Sequence, residues 1–242
     1  MRCYSLPNSI ILRNVQEVSD LGICMSENFS FEAHINQIAS KANMKISWIL
    51  SVFESRDPEL MLTLFKSLVL NIVEYCSPLW SPHKIQEIAK IEGVQRRFTS
   101  RISSLAHLNY WDRLKKLKLY SLQRRRERFI LIYVWKIIHE RVPNDVGIAW
   151  RICGRKGIIA AVPRVPSAVA KINTSYDYFF KVNATKLWNC LPKSVNTVDT
   201  MEPFKRKLDL FLKNISDFPP VSGYTTMNSN SLLDWLGYSN AF

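Results

Sequence analysis

Hydrophobic and polar positions change period once along this chain, near residue 30. Before that point Ile10-Ile11-Leu12, then Val15 and Val18, then Leu21 and Ile23 form short β-prone pieces, cut by Pro7-Asn8, Asn14 and Ser19-Asp20. Short apolar runs between turn formers predict a hairpin or two. A lone hairpin is marginal in water, so a β element at residues 1–28 needs a surface to pack on and hints at an upstream partner. From Ser30 the spacing becomes helical: Ile35, Ile38, Ala42, Ile49 and Phe53 share one face, with Ser30 as N-cap and Glu32 in the first turn.

Asp57-Pro58-Glu59 opens a second helix with a cap, a proline at the first helical position and an acid near the positive end of the dipole. Its apolar positions Leu64, Phe65, Leu68, Ile72 and Tyr75 run to a stop at Ser77-Pro78, and Ser81-Pro82 is expected to open a third helix in the same way. That helix carries Ile88, Ile91, Phe98 and Ile102 inward and Lys90, Arg97 and Arg101 on another face. Asn109 caps a short helix from Tyr110 to Leu117, and Ser121 caps the next, which stops before Val142-Pro143-Asn144. The last of these is basic in its first half and apolar all round in its second, so its arginine end is expected to emerge from a helical core. Residues 142–175, with Gly147, Gly154, Gly157, Pro163 and Pro166, predict a loop or linker with a strand at Gly157 to Val162. Helical pattern resumes over residues 176–214, and residues 215–242 form an extended tail in which Leu232, Leu233 and Trp235 dock on the body. The fold class is mainly α: a basic helical bundle at 29–141, a small N-terminal β-hairpin element, C-terminal helices and the tail.

Charge sharpens this picture. Lys84 to Arg141 holds 15 Lys+Arg against 5 Asp+Glu, a net of +10 out of +13 for all 242 residues, so the flanks are nearly balanced at −2 and +5. A local excess of this kind is the footprint of a polyanion partner. The candidate phosphate contacts are Lys90, Arg96, Arg97, Arg101, Arg113, Lys115, Lys116, Arg124, Arg125, Arg126 and Arg128. Glu92 stands four residues before Arg96 and offers one local ion pair, but acids are too few to neutralise the rest. Consecutive arginines point in different directions on a helix, so at most half of residues 124–128 can share one groove.

Other chemistry is sparse. Trp80, Trp111, Tyr110 and Tyr133 read chiefly as core aromatics, with base stacking open only to Tyr110 or Trp111. Five scattered cysteines without a CxxC pair, and four dispersed histidines, predict reduced thiols and no metal site. His83 and His139 lack partners at catalytic spacing, and no nucleophile elbow occurs. No secretory leader follows Met1 and no apolar run nears the roughly 20 residues of a membrane span, so an intracellular protein, nuclear or cytoplasmic, with no membrane partner is expected.

Several stretches, taken together and in order, resemble the region after the catalytic palm in reverse transcriptases of non-LTR (LINE-type, jockey-like) retrotransposons. They are DLGICMSENFSFEAHI (Asp20 to Ile35), KSLVLNIVEYCSPLWSP (Lys66 to Pro82), IEGVQRRFTSRI (Ile91 to Ile102) and RLKKLKLYSLQRRRER (Arg113 to Arg128). YFFKVNATKLWNCLPKSVN (Tyr178 to Asn196), FKRKLDLFL (Phe204 to Leu212) and GYTTMNSNSLLDW (Gly223 to Trp235) extend the match over nearly the whole chain. The resemblance implies a thumb-like helical domain and C-terminal extension that hold template RNA and an RNA/DNA or DNA primer duplex, with residues 1–28 as a β-hairpin remnant beside the palm. It also implies that the Mg²⁺-binding carboxylates of an RNA-directed DNA polymerase lie upstream. No adjacent Asp-Asp of that kind occurs here, so no cofactor is expected in this chain, which should be inactive alone, as a fragment of the polymerase. A palm or another protein is a further possible partner. The rival expectation, from another class, is a helical protein-interaction module derived from a decayed element.

Overall fold

A computed structural model of the chain describes residues 4–5, 11–12, 15–28, 30–82, 84–161, 180–215, 217 and 231–235. The fold is mainly α, with small antiparallel β elements. At the N-terminus β1 (Tyr4–Ser5) pairs with β2 (Ile11–Leu12), and β3 (Glu17–Asp20) pairs with β4 (Ile23–Ser26). Leu21 and Gly22 make the β3–β4 turn with positive φ, and the phenol of Tyr75 donates to the Leu21 carbonyl at 3.1 Å. That bond and contacts of β4 with the first helix are what the hairpin packs on.

The helices begin with α1 (Glu32–Val52), whose Ile35, Ile38, Ala42, Ile46 and Ile49 are buried. Its N-cap residue is Phe31, not Ser30, although the Ser30 hydroxyl accepts the Glu32 N–H at 3.3 Å. Asp57 caps α2 (Pro58–Leu64) as its sequence demands, accepting from the N–H groups of Glu59 and Leu60. A wider π-helical turn, Phe65–Val69, joins α2 to α3 (Leu70–Glu74). Ser77-Pro78 does not merely stop that helix. It opens a short one, α4 (Ser77–Trp80), after a left-handed Cys76, and α5 (Ile85–Thr99) starts after Lys84 rather than at Ser81-Pro82. Asn109 and Ser121 cap α6 (Tyr110–Leu117) and α7 (Leu122–Ile138) through their side chains.

Residues 149–161 are no linker. β5 (Ala149–Cys153) and β6 (Gly157–Ala161) form a hairpin that docks on α8 (Phe180–Asn189) and α9 (Lys193–Asn196). Backbone groups of β6 are satisfied by side chains: the Asn189 amide both donates to and accepts from Ala160 at 2.9 Å, and Trp188 Nε1 donates to the Ile158 carbonyl at 3.0 Å. Asn196 Nδ2 donates to Lys156 and Ile158 carbonyls. The strand expected at Gly157 to Val162 is β6; what local sequence does not show is its partner strand β5 and the side chains of α8 and α9 that it docks on, 29 or more residues downstream. The rest of the 142–175 region, residues 162–175, lies outside the described residues. Beyond it, α10 (Met201–Lys213) and α11 (Leu232–Trp235) complete the C-terminal part.

The buried hydrophobic side chains gather in two clusters, and α7 belongs to both. One unites α1, α2, α3, α5 and α6 and ends at Leu122. The other begins at Ile130 and unites the second half of α7 with β6, α8, α10 and Leu232. Leu232 is buried, as the tail's apolar residues lead one to expect. Gln123 to Glu127, the basic half of α7, is the joint between the two cores.

Candidate nucleic-acid interface

α1 and α5 lie side by side and run in the same direction. Lys84 meets Glu32, Lys90 Nζ donates to Asn36 Oδ1, and Arg97 reaches Asn43 and Ser47. Arg97 Nη1 donates to Asn43 Oδ1 and Nη2 to Ser47 Oγ, both at 2.9 Å, which holds its guanidinium across the helix pair. Lys90, Arg96, Arg97 and Arg101 are all exposed. Lys90 and Arg97, seven residues apart, share one face of α5, whereas Arg101, expected on that face, lies in the turn past the helix end at Thr99.

Acid chemistry on this surface is one-sided. No Asp or Glu occurs between Ile35 and Phe53, and the one acid between Ile88 and Leu108 is Glu92. Glu92 is buried and does not pair with Arg96, as its i,i+4 spacing suggests. It accepts the Tyr110 hydroxyl and the N–H of Leu122, at 3.1 and 3.2 Å for its two oxygens. Burial pushes its pKa up, opposed by the Tyr110 hydrogen bond and the Arg126 charge. Arg96 is left to lie over the Tyr110 ring, 4.9 Å from its centroid. Lys115 and Lys116 are exposed in the last turn of α6, where cations also suit the helix dipole.

Of the remaining predicted contacts, Arg113, Arg124 and Arg126 are buried, and Arg125 and Arg128 are half-buried in ion pairs. Arg113 is 6% exposed and spends its guanidinium on Thr99 Oγ1 and the carbonyls of Leu108 and Arg96, tying α6 to the end of α5. Arg124 and Arg126, expected to emerge from the core, are 0% and 2% exposed. Arg124 faces Glu127 at 3.8 Å and Asp217 at 4.0 Å, and Asp217 also accepts the N–H and hydroxyl of Ser121. Arg126 lies near Glu92, Glu127 and Glu74, and burial lowers its pKa against their pull. Arg125 forms a two-point pair with Glu74, Nη2 to Oε2 at 3.0 Å, and Arg128 one with Asp209, Nη2 to Oδ2 at 2.9 Å. The Asp209 hydrogen bond raises the Arg128 pKa. Glu127 in turn accepts the Leu232 N–H, and burial pushes its pKa up to about 7. Arg124, Arg125 and Arg128 of this cluster are therefore ion-paired, to Glu127 and Asp217, to Glu74 and to Asp209, at the joint between two hydrophobic cores. Arg126 is buried there without an ion pair within 4 Å or a hydrogen bond to its guanidinium among the described residues, and its charge is opposed only at longer range by Glu92, Glu127 and Glu74.

Of the aromatics singled out, Trp80 and Tyr110 are buried, Trp111 is half-buried against Tyr110, and Tyr133 packs edge-on to Phe180. His83 lies outside the described residues. The exposed aromatic beside the cationic surface is Trp48 on α1, next to Ser47 and 5.0 Å from the Lys45 ammonium. Its signal was present in the chain, since Trp48 stands one position off the Ile38–Ala42–Ile49 face. Among the described residues no group of three or more His, Cys, Asp or Glu side chains could hold a metal ion, and no helix is long and apolar enough to cross a membrane. Comparison with protein-family models, curated proteins and solved structures gives no match.

Proposed function

We propose that this chain binds the phosphate backbone of nucleic acid through the exposed cations Lys90, Arg96 and Arg97 of α5 and Arg101 in the turn beyond it, extended by Lys115 and Lys116 of α6. The role is that of the thumb-like region of a non-LTR retrotransposon reverse transcriptase, holding template RNA and a primer duplex. The observation that carries this is the absence of any exposed carboxylate on the α1–α5 surface from Ile35 to Phe53 and from Ile88 to Leu108. Unneutralised cations fixed on a rigid helix pair, one of them braced by Asn43 and Ser47, favour a fixed array of phosphates. Base sequence should matter little, because phosphate contacts position a nucleic acid without reading it.

The test is salt dependence. Four phosphate contacts on B-form DNA predict a log–log slope of binding against salt of about −3 to −4. Arg97→Ala with Arg101→Ala should flatten it by up to about two, and exposed substitutions of this kind usually cost under about 0.5 kcal/mol of stability. A folded double variant with the parent's affinity and slope would mean a solvated face. The rival, a protein-interaction module, would then lead, on the strength of the exposed Val18, Leu21 and Tyr75 at the β3–β4 hairpin.

A further inference from the structure

On α1, Lys41, Met44, Lys45, Trp48 and Val52 recur at spacings of three and four residues and so form one stripe along the helix. Nothing in the described fold covers it: Met44 is 62% exposed, Trp48 48% and Val52 54%. A large indole half open to water is unusual on a helix that buries its isoleucines fully, and its surroundings are cationic. The Lys45 ammonium lies over the ring at 5.0 Å, Lys41 is exposed one turn earlier, and the neighbouring Ser47 holds the Arg97 guanidinium at 2.9 Å. Phe53 meets the ring edge-on at 6.5 Å and fixes its far side.

From this arrangement we infer that Trp48 is a stacking platform for an unpaired base, so that the α1–α5 surface prefers single-stranded nucleic acid to duplex. The inference deepens the proposed backbone binding and rests on it. The chemistry decides the occupant. A planar ring between cations, with no carboxylate on its helix from Ile35 onward, suits a ligand that alternates flat π-faces with phosphates, and every base has such a face. A duplex keeps its bases stacked on one another and offers the indole only its sugar edge. On a single strand one base covers the indole, Lys45 exchanges the ring for a phosphate, and Met44 packs against the next base. The polar groups flanking the ring, Asn43 and Ser47, are engaged by Arg97. The platform therefore takes bases and phosphates rather than the sugar, and RNA and DNA strands should bind alike.

The experiment measures fluorescence anisotropy of a labelled 12-nucleotide pyrimidine strand, as RNA and as DNA, and of a 12-base-pair duplex, at one salt concentration. Trp48→Ala should weaken single-strand binding about 5- to 30-fold, the lower part of the range for one base–aromatic stack, and change duplex binding far less. Trp48→Phe should recover much of the loss, and the salt slope of both variants should match the parent, since no phosphate contact is removed. Equal losses on strand and duplex, or no loss on either, overturn the platform. The backbone reading fails separately, when Arg97→Ala with Arg101→Ala leaves the slope unchanged. Anionic phosphatidylserine vesicles that compete with the strand and blue-shift the tryptophan emission of the parent, but not of Trp48→Ala, would also overturn it, because the stripe would then be a lipid-facing one. Circular dichroism of each variant confirms the fold.

Discussion

Replacing Arg124 by alanine separates a buried arginine from a phosphate-binding one, because the two roles move stability and affinity in opposite ways. Arg124 is fully buried, and its loss removes the cation facing two carboxylates, Glu127 at 3.8 Å and Asp217 at 4.0 Å. Glu127 is itself buried, and Arg124 is the foremost group holding its pKa down against burial. Removing one partner of a buried ion pair typically costs about 3–5 kcal/mol, since the remaining charge keeps its desolvation penalty without its Coulombic return. Total stabilities lie at about 5–15 kcal/mol, so the loss is a large fraction. For a chain of this size each kcal/mol shifts Tm by about 2–4 °C, giving an expected drop of about 6–20 °C. Calorimetry or circular dichroism at pH 8, where Glu127 is ionised, measures it. At temperatures where the variant stays folded, its affinity for a primer–template duplex and its salt slope should equal the parent's. The structural reasoning is refuted if Arg124→Ala melts with the parent and instead loses binding and about one unit of slope, for then the arginine end of α7 faces solvent and ligand.

Two other outcomes follow from the same joint and from the hairpin docked beside it. Burial lifts the Glu127 pKa from 4.5 to about 7, so between those values the folded chain binds more protons than the unfolded one. This group's contribution is therefore most favourable below about pH 4.5 and is lost as pH rises through about 7. Urea melts of the parent and Glu127→Gln across pH 4.5 to 8 should show the variant gaining relative stability as pH rises, and the opposite trend would contradict the assignment. At the β5–β6 turn Gly157 has φ +74°, and a methyl there would stand 2.1 Å from Asn196 Oδ1 and 2.7 Å from Thr197 Cγ2. Gly157→Ala should cost about 2 kcal/mol or more, from left-handed strain plus displacement of the Asn196 clamp, and an unchanged denaturation midpoint would show that the hairpin is not held there.

Local order was written plainly into the chain. Asp57, Asn109 and Ser121 cap the helices they precede, because a side-chain oxygen and an N–H two or three residues on are neighbours in any helix. The common face of Lys90 and Arg97, and the burial of Ile35, Ile38 and Ile91, follow from helical period alone, although the helix ends at Thr99, before Arg101. Trp48 was not singled out from the sequence, although its place one position off the buried face of α1 signals its exposure. What period could not assign is the side on which an arginine finds its countercharge. Summed over residues 84–141 the charge looks unpaired, yet Glu74, Asp209 and Asp217, which neutralise three of the α7 arginines, lie outside that window. The sequence determined that residues 124–128 form a charged helix between apolar halves. Only the tertiary structure, by bringing carboxylates from 51 to 93 residues away against that helix, decided that Arg124, Arg125 and Arg128 turn toward the joint, since an arginine's desolvation is offset only by opposing ions and acceptors that the fold brings to it.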